Sequence, residues 1–321
     1  MKKIFCLILV LILTVSVFTS CGQKEEKEFI ETITFEKIAQ VNSVTNLLKK
    51  YDRITEKTVN KDLEDGGEFS WNLSYEKSEN GINAIVDTGD QYKCFYYNNK
   101  IFACYDGEYL PVLYFRETYN DIVAETVKRD NILNAIFHTV VSRGTTNDGR
   151  YTITFEFKAT PDMLNDFETW DVQTGQKMHI TYFLKENLEI DHYDYYLFDK
   201  NGNKKNIANI YIDYDSKFTF PEDVINLANT KDTCRVTLYE NYGLGSQYTE
   251  TYDVPRGSYL EINSYLYSYN IFTDKEMKKY WNFANNSIEK NTDLYLKENI
   301  YYEVEEETGD TIITREESEN E

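Results

Sequence analysis

From Glu68 onward the sequence alternates with a period of two. Phe69, Trp71, Leu73 and Tyr75 are separated by polar residues, the pattern of a strand with one face in a core. Glu79-Asn80-Gly81 then reverses the chain, and short strands are expected over 82–88, 91–97, 100–105 and 109–115. Their separators are Gly89-Asp90, Asn98-Asn99 and Asp106-Gly107. Turns this short join only antiparallel neighbours, so this stretch must be an antiparallel meander. Alternation returns at Tyr151, Ile153, Phe155 and Phe157, and again over 177–184, 189–198 and 207–214. The fold class is therefore α+β and β-rich.

Helices flank the strands. Ile38, Val41, Val44, Leu48 and Tyr51 recur at spacings of three and four, which predicts a helix over 35–56 with Lys49, Lys50 and Arg53 near its C-terminal end. Ile132, Leu133, Ile136, Phe137, Val140 and Val141 predict a second, from an Asp130 cap to a Gly144 stop. Thr160-Pro161-Asp162 reads as the start of a third, with Met163, Leu164 and Phe167 inward.

The N-terminus carries a targeting signal. Lys2 and Lys3 precede an uncharged, mostly apolar run over 4–18, and Thr19 and Ser20 lead into Cys21. This resembles the lipobox of bacterial lipoprotein signals, with Phe18 standing where an aliphatic residue is usual. The resemblance implies removal of residues 1–20 and acylation of Cys21, which would hold the chain on the extracytoplasmic face of the membrane. The apolar run is shorter than the roughly 20 residues of a spanning helix; an ordinary cleaved signal and an uncleaved anchor are the competing readings. Residues 21–34 read as a charged tether.

Charge excludes some partners. With 34 basic and 55 acidic residues the net charge is −21, and loss of Lys2 and Lys3 deepens it. So acidic a chain does not suit nucleic acid, nor a polybasic grip on anionic lipid. Of five cysteines, Cys6 leaves with the signal and Cys21 would carry lipid. Cys94, Cys104 and Cys234 remain, an odd number and no disulfide scaffold. A loop centred on Asn99 would face Cys94 with Cys104: a disulfide there is one reading, two small hydrophobes on a sheet the other.

Chemistry is sparse. His138, His179 and His192 show no zinc spacing, and neither a Gly-x-Ser-x-Gly elbow nor a glycine-rich phosphate loop occurs in the mature chain. Asp199-Lys200-Asn201-Gly202-Asn203 has its glycine one place too early for a calcium loop and reads as a hairpin turn. Asp191-His192-Tyr193-Asp194 is the one cluster worth locating, although a sheet surface explains it equally well. No cofactor, metal or enzymatic activity is expected.

Two family resemblances complete the reading. The order helix, meander, small helix, further hairpins, ending in Ile210-Tyr211-Ile212-Asp213-Tyr214 and Phe220-Pro221-Glu222, resembles the LolA-like lipoprotein carrier fold over residues 35–231. That resemblance implies a curved, incomplete half-barrel with covering helices and a cavity for acyl chains or another hydrophobic ligand. No motif carries site residues across. Farther on come Arg235-Val236-Thr237-Leu238-Tyr239, Val254-Pro255-Arg256-Gly257, Ile271-Phe272-Thr273-Asp274, Trp281-Asn282-Phe283 and Thr292-Asp293-Leu294-Tyr295. They resemble one Listeria–Bacteroides repeat, the internalin B-type repeat, over 232–299. It implies a small β-grasp-like module, with Trp281 and Phe283 plugging its core, that contacts cell-wall or protein partners. Residues 300–321 read as an acidic tail. The expected function is a surface-anchored lipoprotein that binds a hydrophobic ligand; the alternative is a non-catalytic structural or interaction lipoprotein.

Overall fold

The computed structural model describes residues 28–63, 66–79, 81–89, 93–105, 107–114, 118–127, 138–159, 175–260, 269–282 and 287–298. The signal, Cys21, the helix expected after Thr160, Phe283 and the acidic tail lie outside them.

After a helical turn at 28–31 come α1 (Phe35–Asn42) and α2 (Val44–Leu47). The Thr34 hydroxyl accepts from Lys37 N at 3.3 Å and opens α1, and the Ser43 hydroxyl accepts from Asn46 N at 3.3 Å and opens α2. Ser43 itself is extended, so the single helix expected over 35–56 is broken there. Its last residues are not helical at all: Arg53 begins β1 (Arg53–Asp62). The strand was hidden because two of its core-facing positions are polar. Glu56 and Thr58 are each only 6% exposed, so no apolar alternation marks it.

The meander follows as β2 (Glu68–Ser78), β3 (Gly81–Asp87), β4 (Lys93–Tyr97), β5 (Lys100–Tyr105) and β6 (Glu108–Leu113). Gly81 has φ +136°, a conformation that other residues adopt only with strain, and a Cβ there would meet Asn120 Oδ1 of α3 (Tyr119–Thr126) at 2.6 Å, so that side chain would have to shift. Next come β7 (His138–Thr145), β8 (Tyr151–Lys158), β9 (Lys177–Leu184), β10 (Ile190–Phe198) and β11 (Lys204–Asp213). The helix expected over 130–144 is corrected in its second half, since His138, Val140, Val141 and Gly144 lie on β7. A bulge between Val140 and Ser142 pushes Val141 outward to 51% exposure. That bulge breaks the alternation, and two adjacent valines then imitate a helical face. The remaining elements are α4 (Glu222–Ala228), β12 (Thr233–Glu240), β13 (Tyr248–Pro255), β14 (Ser258–Leu260), β15 (Tyr269–Phe272), β16 (Ser287–Ile288) and β17 (Thr292–Glu298).

The described residues fall into two compact units. The first takes those up to Tyr96 and Asn120–Phe220. Its strands run in the order β4-β3-β2-β1-β11-β10-β9-β8-β7, all antiparallel, an open sheet whose last strand is β7. Ile153, Phe155, Met178, Ile180, Tyr182, Tyr195 and Leu197 pack on one face beneath Ile33, Phe35 and Ile38. Each such aliphatic or phenyl side chain contributes about 1.5–3 kcal/mol by leaving water. Asn42 ties α1 to the sheet: its amide donates to Leu188 O at 2.9 Å and its Oδ1 accepts from Ile190 N at 2.8 Å.

The second unit takes Tyr97–Tyr119 and the described residues from Pro221 onward. The meander's β5 and β6 thus group with the C-terminal strands, because β14 pairs in parallel with β6, Tyr259 opposite Val112 and Leu260 opposite Leu113. A four-stranded sheet has the order β13-β12-β17-β15, with its central pair, β12 and β17, parallel. Val236, Leu238, Ile271, Trp281, Leu294 and Leu296 form its core together with Leu113 and Leu260. The Phe272-Thr273-Asp274 turn places the tryptophan: Asp274 Oδ1 accepts from Lys278 N at 2.8 Å, and Trp281 N donates to Ile271 O at 2.8 Å.

Candidate functional site

Register assigns the faces of the first unit's sheet, because directly opposed residues point the same way. Thr58 lies opposite Trp71 on β2 and Ile210 on β11; Asn60 lies opposite Phe69 and Ala208. These share the face of buried Ile54, Leu73 and Tyr75, and of the packed apolar residues on β8–β10. Toward β8 this inner face is closed by Phe35, whose ring meets Phe155 edge-on at 5.1 Å. On β2 it stays open. Phe69 is 46% exposed and Trp71 half-buried. Two large aromatics on the core face of a sheet, still partly in water, are an apolar surface that this unit leaves open. The alternation of β2 was legible in the sequence; that its first half is left open was not.

A separate cleft of about 880 Å³ lies where β1 begins and β2 and β11 end, between Lys50–Arg53, Glu76–Glu79 and Tyr214–Lys217. Its chemistry is polar. Lys50 Nζ meets Glu189 Oε1 at 2.9 Å, and the Tyr51 hydroxyl donates to Glu189 Oε2 at 2.7 Å. Arg53 Nε meets Glu76 Oε2 at 2.8 Å and lies over the Phe218 ring. Burial alone would raise the Glu189 carboxyl, but hydrogen bonds from Tyr51, Lys50 and Asn187 outweigh it and hold the group below its usual range. Burial, then the bond to Glu189, pushes the Tyr51 phenol up to about 12, so it remains a donor at any ordinary pH.

A test of this cluster follows from the sign of the Glu189 shift. A carboxyl lowered in the folded state stabilises the fold above its unfolded pKa, and that stability is lost as pH falls through the folded value. The urea midpoint should therefore drop between pH 6 and pH 3 by less in Glu189→Gln than in the wild type. Parallel pH profiles for the two proteins would show that Glu189 contributes nothing to acid sensitivity.

The histidines do not converge. His138 packs against Phe35 at 4.5 Å. His179 Nε2 meets Glu156 Oε2 at 2.9 Å, and that carboxylate also binds Lys177. His192 is stacked on Phe183 at 4.0 Å, with Tyr211 on its other neighbouring strand, and its Nδ1 lies 2.8 Å from Asp191 Oδ2. Arg150 binds Asp191 and, from the other side, Asp148, whose carboxyl the Arg150 and Thr146 hydrogen bonds hold down at about 2. The Asp191-His192 cluster singled out in the sequence is thus a sheet-surface ion network. Asp199 closes its hairpin as expected, with Oδ1 accepting from Asn201 N and Asn203 N at 2.8 and 2.7 Å. Among the described residues no group of three or more His, Cys, Asp or Glu is placed to hold a metal ion.

Cys94 and Cys104 are thiols rather than a disulfide. The reason is the turn. Asn98 and Asn99 both have positive φ, at 48° and 61°, between strands ending at Tyr97 and starting at Lys100. Such a two-residue turn is centred between the asparagines, not on Asn99, and a one-residue change of register moves facing side chains to opposite faces. Cys21, the expected lipid attachment site, lies outside the described residues.

The sequence matches no family model. It matches no curated protein either. Solved structures similar to the chain include the lipoprotein LppX of Mycobacterium tuberculosis, at 6% identity and a TM-score of 0.35 over 57% of this chain and 97% of that one. LprF of Mycobacterium bovis is 12% identical, with a TM-score of 0.36 over 59% and 96% of the two chains. A LolA superfamily protein of Nitrosomonas europaea is 10% identical, with a TM-score of 0.21 over 56% and 96%.

Proposed function

We propose that this chain is a surface-anchored, non-catalytic lipoprotein that binds a lipid or other hydrophobic ligand against the inner face of its open sheet. The observation that carries this reading is the pair Phe69 and Trp71, aromatics on the core face of β2 that remain partly open to solvent. Acylation of Cys21 would hold the protein at the extracytoplasmic face, where an acidic chain needs a covalent anchor because anionic lipid repels it. The resemblance of residues 35–231 to the lipoprotein carrier fold points the same way. The order β13-β12-β17-β15 with a parallel central pair supports reading the C-terminal strands as a β-grasp-like, internalin B-type module.

One observation favours the alternative, an interaction lipoprotein. In the second unit Leu244, Tyr248 and Tyr280 are all well exposed, as side chains that meet a partner would be. Native mass spectrometry of residues 22–321, with organic extraction, separates the two. A bound lipid-sized mass that disappears in the Phe69→Ser, Trp71→Ser double variant is the expected result. A clean unliganded mass would move the reading to the interaction lipoprotein.

A further inference from the structure

The polar cleft lies at the end of the first unit's sheet where the chain enters. Phe29, in the turn before α1, packs on Tyr151 with ring centroids 5.3 Å apart, and Tyr151 begins β8. Register carries that end across the sheet. Tyr151 stands opposite Leu184, Leu184 opposite Ile190, His192 opposite Tyr211, Thr55 opposite Asp213 and Arg53 opposite Glu76. The cleft is built on this same end, from Arg53, Glu76 and the residues after Asp213. Four strand spacings, about 19 Å, separate β1 from β8. The leash to the expected anchor is short. Ile30 and Ile33 are already buried in the body, so little of the charged tether is free to extend. Seven residue steps separate Cys21 from Glu28, and a fully extended chain covers at most about 25 Å in that length. An acylated Cys21 therefore holds this end of the sheet, with its cleft, at the bilayer surface.

The cleft offers free charges of both signs. Lys50 and Arg53 are committed to Glu189 and Glu76. Asp52, Asp215, Lys77 and Lys217 also line it; they are exposed and take part in no ion pair among the described residues. An anion would be drawn by the lysines and repelled by the aspartates, and a cation the reverse. A zwitterion satisfies all four. Next to a bilayer, the zwitterion at hand is a phospholipid head group that carries a phosphate and an ammonium. Anionic lipid is disfavoured twice, by the two aspartates and by the net charge of −21.

We propose that this cleft docks the first unit on the bilayer by taking the head group of a zwitterionic phospholipid, Lys77 and Lys217 meeting the phosphate and Asp52 and Asp215 the ammonium. The site is separate from the apolar surface of Phe69 and Trp71. Arg53 and Glu76 alternate with Ile54 and Tyr75 along their strands, so they lie on the other face of the sheet. Docking rests on the acylation of Cys21; recognition of the head group does not.

The test uses two soluble head groups without acyl chains, glycerophosphoethanolamine and glycerophosphoglycerol, so the apolar face contributes nothing. In isothermal titration of residues 22–321 the wild type should bind the first about tenfold more tightly, the effect of one charge-assisted hydrogen bond. The double variant Asp52→Asn, Asp215→Asn, changed at two exposed positions, should bind the two equally. Equal affinities in the wild type, a preference that survives in the variant, or no binding of either compound would overturn the site. The anchor and the apolar ligand would still stand, since acyl mass and native mass spectrometry judge them separately. Hydrogen exchange then separates a lipid from a free solute. It compares the acylated chain on vesicles of equal parts phosphatidylethanolamine and phosphatidylglycerol with the same chain on phosphatidylglycerol alone. Amides over 77–79 and 215–217 should be better protected on the mixed vesicles, while those of the Asn201-Gly202 turn, at the far end of the sheet, should not change. Identical protection on the two vesicles would overturn the docking.

Discussion

Replacing Trp281 with alanine is expected to destabilise the second unit by about 3–5 kcal/mol, the usual cost of deleting a large aromatic from a core. Trp281 is 8% exposed and packs with Val236, Leu238, Ile271, Leu294 and Leu296. Its backbone is pinned to β15 through Ile271, so the sheet cannot simply collapse into the space. Hydrogen exchange read by mass spectrometry would localise the effect. Amides of β12 and β17 should lose protection, while those of β8–β10, which belong to a separate core, should keep it. Trp281→Phe should cost much less, because the indole Nε1 is buried without an acceptor and its removal relieves that penalty. Unchanged protection in Trp281→Ala would mean that the tryptophan is not what fills this core.

Replacing Cys21 with alanine is expected to release the protein from the membrane altogether. The anchor inferred from Lys2-Lys3, the apolar run and Thr19-Ser20-Cys21 is covalent, and each buried methylene of its acyl chains adds about 0.8 kcal/mol. Past the apolar run over 4–18, little in the chain is suited to substitute for it. The net charge is −21, and among the described residues no helix is long and apolar enough to cross a bilayer. Intact mass and membrane fractionation report on the same sample. Wild-type protein should carry acyl mass and sediment with membranes; the variant should do neither. A variant that still sediments and still carries lipid would refute the lipoprotein reading.

Trp281 was expected in a core only through the resemblance of residues 232–299 to the internalin B-type repeat; the structure places it by the Thr273-Asp274 turn and the strand at Ile271, within ten residues. The polar stretch of the inner face was not legible at all. The strand expected over 207–214 in fact starts at Lys204, so Asn206 lay outside the expected strand. On β1, Glu56, Thr58, Asn60 and Asp62 occupy the positions where a local pattern needs apolar residues, and the strand itself was missed. A polar residue facing inward looks, from sequence, like a residue facing out.

The sequence by itself determined the antiparallel character of the meander and most of the strands. Each depends on periodicity and turn chemistry over a few residues, which the chain carries locally. Only the tertiary structure decided that β1 sits between β2 and β11, that β6 joins β14 rather than closing the first unit, and that Asn206 turns its carbonyl away from Asp62. Those outcomes are set by which distant strand supplies the opposing hydrogen bonds and in what register. A shift of one residue in that register would have put the same side chains on the other face of the sheet.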